Sequence, residues 1–280
     1  MVHAALLLLM LEAAKARPRF TISLKRSTQN LQLSTSSSAD YPIYCRIDQE
    51  EAVHKVSIPE TIVAQIKAQR GKLNRYDRLL GPKTALVVID LQIAFMLPGM
   101  PVEVPTARDI VPNVNKLAAA ARAAGGKVVW VKMCLEGQTE AWRVFFDGDP
   151  RRATLTELTP GAHGFELHAD LDVRPEDEIV VKRRYSAFIQ GSSDIDRRLR
   201  DAGIDTVIIV GTLTNVCCES SARDAMMLNY RLVFVSDANA ALTDVEHNAT
   251  LASILRVFGD VASTDEVIQL FSLTSREQAA

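Results

Sequence analysis

Five short runs of apolar, largely β-branched residues recur along the chain from residue 85 onward, at 85–89, 127–131, 178–181, 206–210 and 231–235. Each is apolar at successive rather than alternate positions, so the pattern predicts strands buried on both faces, as parallel strands are. Between them apolar residues return at helical spacing, over 110–124 closed by Gly125-Gly126, 194–202 closed by Gly203, 217–228, and 246–258 closed by Gly259. Strand and helix in alternation predict an α/β fold: a three-layer, doubly wound, mainly parallel sheet. Neither a repeat nor a second domain interrupts residues 81–280.

The beginning of the chain has a different character. Residues 1–49 open on the apolar run Ala4-Ala5-Leu6-Leu7-Leu8-Leu9-Met10-Leu11, continue through Lys15, Arg17, Arg19, Lys25 and Arg26, and reach Ser34-Thr35-Ser36-Ser37-Ser38. The run is far shorter than the roughly 20 residues a membrane-spanning helix needs, and no Lys or Arg precedes it as in a secretory signal. The segment is Ser-rich and basic, with Glu12 its one acid before Asp40, which is transit-like. It reads as a leader outside the fold, disordered or spurious, on a cytoplasmic protein, with a signal or transit peptide left open. Residues 50–80 resume globular chemistry: Ile58-Pro59-Glu60 opens an amphipathic stretch (Ile62, Val63, Ile66) that stops at Arg70-Gly71. This predicts a helical arm packed on the domain or on a partner subunit.

Composition adds exclusions. The 280 residues are 48% hydrophobic and 24% charged, as in globular proteins. Net charge is -2, so no basic field exists to hold nucleic acid or an anionic membrane, and neither partner is expected. The four cysteines, Cys45, Cys134, Cys217 and Cys218, lack metal-ligand spacing, and the adjacent pair cannot readily bridge. A reducing compartment follows.

In an open parallel sheet the site lies at the carboxyl ends of the strands. There the first run ends in Asp90, the third in Lys182, and the fourth runs through Gly211-Thr212-Leu213-Thr214-Asn215-Val216 into Cys217. Each has an ordinary explanation alone: a small buried hydrophobe, a turn-capping carboxylate, a solvated lysine. Together they bring a thiol, a carboxylate and an ammonium to one sheet edge. Cys217 sits where strand turns into helix, so the positive helix end is expected to favour the thiolate, and the same N–H groups could receive an oxyanion. Cys218 falls one residue further and points elsewhere. A dinucleotide site fails at the first turn, because Asp90-Leu91-Gln92-Ile93-Ala94-Phe95 has no glycine.

Three blocks carry a family resemblance: Val87-Val88-Ile89-Asp90-Leu91-Gln92-Ile93-Ala94-Phe95, Val181-Lys182-Arg183-Arg184-Tyr185-Ser186-Ala187-Phe188, and the run from Gly211 through Cys217-Cys218-Glu219-Ser220-Ser221-Ala222-Arg223 to Asp224-Ala225. They resemble, in order, the signature blocks of the isochorismatase-like cysteine hydrolases, across roughly residues 80–272. The resemblance implies an Asp90–Lys182–Cys217 triad and a non-proline cis peptide at Leu213-Thr214 that aims backbone N–H groups near Thr214 and Cys217 at an oxyanion. Asn215 and Arg223 match as supports. It also implies a small-molecule substrate and a homo-oligomer. A cysteine at this position belongs to the amide-cleaving branch rather than to vinyl-ether cleavage. The metal-binding Asp-x-His segment of nicotinamidases is missing from Val131-Lys132-Met133-Cys134-Leu135-Glu136-Gly137, so no metal and no cofactor is expected. Lys182 with Arg184-Tyr185-Ser186, and Thr214-Asn215-Val216-Cys217, look most like ureidoacrylate and N-carbamoylsarcosine amidohydrolases. The expectation is hydrolysis of an amide, ureido or carbamoyl C–N bond through a thioester, releasing ammonia or a small amine. Ester or carbamate hydrolysis on the same triad, or a silent binding protein, are the alternatives. Phe95, Arg184 and Tyr185 are candidate substrate contacts, as is Trp142 within a lid over 140–146 that also holds Arg143 and Phe146.

Overall fold

Six strands, β1 (Thr84–Ile89), β2 (Lys127–Met133), β3 (Glu178–Lys182), β4 (Thr206–Thr212), β5 (Arg231–Ala240) and β6 (Asp260–Ala262), pair in parallel throughout, in the order β3-β2-β1-β4-β5-β6. The computed structural model describes residues 54–136, 142, 144 and 155–278. The expected leader, and Arg143 and Phe146 of the expected lid, lie outside the described residues. The chain winds outward from β1 to β3, then returns to lay β4 on the other side of β1. The strand order therefore reverses between β1 and β4, which opens a crevice at their carboxyl ends.

The helices are α1 (Glu60–Arg70), the single turn α2 (Ile93–Met96), α3 (Val111–Ala123), α4 (Ile195–Asp201), α5 (Glu219–Met227), α6 (Asp244–Ser253) and α7 (Thr264–Gln278). The alternation of side chains across each strand sorts them onto two faces. Leu86, Val88, Trp130, Ile208 and Val210 pack with Val114, Leu117 and Ala121 of α3 and Val267 and Phe271 of α7. Val87, Ile89, Val129, Ile209 and Phe234 pack with Leu199 of α4, Ala222 and Ala225 of α5 and Leu251 of α6. Each Val, Leu, Ile or Phe among them, withdrawn from water, contributes about 1.5–3 kcal/mol.

Burial on both faces holds along β1 and β4 but not along β3. Ile179 is 48% and Val181 38% exposed, because β3 is an edge strand and only the face bearing Val180 is covered. Several features were not foreseen: the short turn α2 and the helix α7, the three-residue β6, which is too short to show a period, and the run of β5 five residues past its apolar stretch, through Ser236-Asp237-Ala238-Asn239-Ala240. The register of β4 against β5 shifts between Ile209 and Gly211. Gly211 has φ 121, and a Cβ there would lie 2.1 Å from the Ile89 carbonyl oxygen, so only glycine lets β4 approach β1 this closely.

The segment before β1 makes specific bonds to the domain. The Ser57 N–H donates to Asn248 Oδ1 at 2.6 Å, Arg70 Nη2 to the Arg256 carbonyl at 2.7 Å, and the Arg75 and Tyr76 N–H groups to the Asp260 carboxylate at 2.7 and 2.8 Å. α1 stops at Gly71, whose φ of 76 lets its N–H close on the Lys67 carbonyl. No helix among the described residues is long and apolar enough to cross a membrane.

Candidate active site

Asp90 is the first residue past β1, with its N–H bonded to the Val131 carbonyl of β2 and a φ of 54 that non-glycine residues seldom adopt. Lys182 ends β3, in register with Met133 at the end of β2. Cys217 lies in a π-helical turn, Thr214–Cys218, between β4 and α5. Three strands thus deliver three reactive groups to the crevice. All are buried: Asp90 and Lys182 are 0% exposed and Cys217 6%.

Lys182 stands at the centre. Its Nζ lies 2.8 Å from Asp90 Oδ2, 3.1 Å from the Arg184 carbonyl, 3.2 Å from Met133 Sδ and 3.4 Å from Cys217 Sγ. The Asp90 carboxylate is held by the Lys182 ammonium and is also met by the Cys217 thiol. Burial raises the Asp90 carboxyl above its usual range, against the pull of Lys182. Burial alone would draw the Lys182 ammonium down, but Asp90 beside it outweighs that and holds the ammonium above its ordinary value. Burial, then Asp90, push the Cys217 thiol strongly upward, with Lys182 opposing. Burial thus works against both the Asp90 carboxylate and the Cys217 thiolate, and Lys182 opposes both shifts.

Two expectations are corrected here. Burial and then Asp90 push the Cys217 thiol up rather than down, and regular helix begins only at Glu219, beyond Cys217. The cis peptide is Thr212-Leu213, one bond earlier than expected. The Leu213 carbonyl accepts the N–H groups of both Val216 and Cys218, so the Leu213-Thr214 peptide already belongs to the turn.

Around the three groups sit residues the sequence did not single out. Gln92 accepts the Met133 N–H at 2.6 Å and donates to the Met133 and Phe165 carbonyls at 3.1 and 3.0 Å, tying the end of β2 to the loop after the proposed lid. The signal was its place, two residues past a strand-end aspartate. Met133, whose sulfur touches the ammonium, had none. Thr214 is hydrogen-bonded to His247 of α6, which was also not foreseen.

The candidate substrate contacts divide. Trp142 and Tyr185 lie ring to ring at 4.8 Å, the Arg184 guanidinium sits 5.5 Å from the Trp142 ring, and Trp142 Nε1 donates to the Arg183 carbonyl at 3.2 Å. These three gather on the loop that follows Lys182. Phe95 is instead buried in the apolar layer that includes α3. Arg223 reaches Glu219 and Ser253 and stacks 4.2 Å from the Phe258 ring, while the buried Oδ1 of Asn215 has no partner among the described residues.

An all-parallel sheet of this order, with its polar cluster at the switch point, matches a known domain. Residues 84–266 match the isochorismatase domain model, and the chain belongs to the isochorismatase family. It is 31% identical over 212 residues to the ureidoacrylate amidohydrolase RutB of Acinetobacter baylyi, covering 69% of this chain and 86% of that protein. Among solved structures it resembles a cysteine hydrolase from Pseudomonas syringae pv. phaseolicola, with TM-score 0.66 and 32% identity over 72% of this chain and 97% of the other. It also resembles N-carbamoylsarcosine amidase from Thermoplasma acidophilum, with TM-score 0.55 and 28% identity over 65% and 97% of the two chains. The fold is that of isochorismatase-like hydrolases.

Proposed function

We propose that the chain is a cysteine-nucleophile hydrolase of a small-molecule amide, ureido or carbamoyl C–N bond, with Asp90, Lys182 and Cys217 as its catalytic residues. The observation that carries this reading is the buried contact of a carboxylate, an ammonium and a thiol at the sheet's switch point. The names of two relatives, a ureidoacrylate amidohydrolase and an N-carbamoylsarcosine amidase, support the ureido and carbamoyl end of the range.

Asp90, a stronger base than an ordinary carboxylate, takes the thiol proton as Sγ attacks the carbonyl carbon. The oxyanion is received by N–H groups of the turn, those of Thr214 and Cys217, which are not the pair that the Leu213 carbonyl takes. Lys182 keeps Asp90 ionised before attack and offsets negative charge afterwards. The C–N bond then breaks, and the proton on Asp90 goes to the departing nitrogen. An acyl or carbamoyl thioester remains on Cys217. Water, deprotonated by Asp90, attacks it; the C–S bond breaks and the proton returns to sulfur.

The test is ammonia release from ureidoacrylate, N-carbamoylsarcosine, biuret, nicotinamide and aliphatic amides, beside Cys217→Ser. Turnover that disappears in the variant, with a trapped thioester mass on Cys217, supports the reading. Undiminished turnover in Cys217→Ser overturns it.

A further inference from the structure

Beneath the turn that carries Cys217 lies a pair of stacked histidines, drawn from opposite ends of the described chain and not used in the chemistry above. We propose that His247 is a positioning residue for this turn, acting through the Thr214 hydroxyl, and that His54 holds His247 in place. The inference rests on the reading of the chain as a cysteine-nucleophile hydrolase.

The hydrogen bonds fix both rings. His247 is fully buried, and its Nε2 lies 2.9 Å from the Ser236 carbonyl, which only accepts, so Nε2 carries the proton. Nδ1 is then a lone pair, and the Thr214 hydroxyl, 3.0 Å away, donates to it. His54 stacks on this ring at 4.4 Å between centroids and 18° between planes. Its Nε2 accepts the Ala241 N–H at 2.9 Å, so its proton is on Nδ1, donated to Asp244 Oδ1 at 2.6 Å. Every nitrogen of the pair has one role, and both rings are neutral in this arrangement. Burial, first of all, holds His247 down at about 4, so its ring stays neutral at neutral pH.

Thr214 is the residue on which this network acts. It is fully buried, opens the turn three residues before Cys217, and supplies one of the N–H groups proposed to meet the oxyanion. A side chain held at its hydroxyl cannot rotate without breaking the bond to His247, so the backbone beside it is held as well. Fixed donors matter where charge develops, and small misplacements are costly there. The oxyanion exists only after attack, so the network acts on kcat rather than on KM.

The full chain is tested with a probe that needs no turnover. A small aldehyde, ¹³C-formyl propanal, adds the Cys217 thiol reversibly across its carbonyl: an S–C bond forms, the C=O π bond opens, and the proton moves to oxygen. The hemithioacetal oxygen occupies the place of the oxyanion, and NMR reads its affinity. Thr214→Val and His247→Phe are each expected to weaken the adduct and lower kcat together, by about 10- to 100-fold, with KM and the rate of Cys217 alkylation by iodoacetamide unmoved. Thr214→Ser, which keeps the hydroxyl, recovers most of the loss, and the double variant is no worse than either single one. His54→Leu lowers the same two quantities; no effect there would overturn the part assigned to His54. Wild-type affinity and kcat in Thr214→Val, or additive losses in the double variant, overturn the inference while leaving the hydrolase reading intact. A wild-type chain that forms no adduct and turns over no amide overturns both.

Discussion

In the proposed mechanism Asp90 carries two duties at one position, base and counter-ion. Replacing it with Asn keeps its shape but removes both, leaving the Lys182 ammonium buried without its anion. Asp90→Asn is expected to lower kcat by about four orders of magnitude and to destabilise the fold by about 3–5 kcal/mol, read by steady-state kinetics and urea unfolding. The pH dependence follows from the same burial. Because the Asp90 carboxyl is raised, the base is lost as pH falls through a value above the ordinary carboxylate range; because the Lys182 ammonium is also raised, it keeps its charge past the usual lysine range. The acid limb of kcat/KM should lie above the ordinary carboxylate range and the alkaline limb above the ordinary lysine range; an acid limb at or below the ordinary range would contradict this electrostatic account. Asp90, Lys182 and Cys217 were readable in sequence because each follows or ends an apolar run. Met133 and His247 were not, because their parts depend on how β2 and α6 are rotated about their axes, which no spacing records.

At the scale of the element, β4 depends on one glycine and the start of α6 on one cap. Gly211→Ala places a methyl group against backbone, and should cost well over about 1 kcal/mol in chemical unfolding. At the start of α6, Thr243 Oγ1 accepts the Glu246 N–H at 3.2 Å, capping the helix, and donates to Glu246 Oε2 at 2.8 Å. Thr243→Ala is expected to cost about 1 kcal/mol and, since α6 carries His247, to lower kcat slightly as well. The helices over 111–123 and 195–201 were legible to within a residue, because glycine closes each. The stretches expected to be helical from Cys217 and through Phe258 instead contain π-helical turns, at Thr214–Cys218 and Ile254–Phe258. A wider turn leaves the apolar period nearly unchanged, so it is invisible to pattern alone.

For the whole molecule, the doubly wound sheet was legible because five apolar runs alternate with helical periods; the exposed face of β3 was not, since edge and centre strands share one composition. His247 links the fold's stability to pH. Its folded value of about 4, depressed from 6.5 first by burial, means the unfolded chain binds its proton more readily. The contribution, about 3 kcal/mol, is therefore complete above pH 6.5 and is lost as pH falls towards 4. Urea unfolding of wild type and His247→Phe should show this dependence in the wild type alone; equal pH profiles would refute it.

The buried Asp260 carboxylate, which accepts the Arg75 and Tyr76 N–H groups, decides where this domain can be cut. The family match begins at Thr84, yet the chain's own bonding reaches back to His54. A recombinant fragment trimmed to the match would strand a carboxylate inside β6 and strip the stacked partner from His247. Each abandoned buried acceptor costs about 1–3 kcal/mol, so the trimmed fragment should melt several degrees below one that starts ahead of His54. For crystallisation or library screening, the usable unit of this protein is longer than its homology.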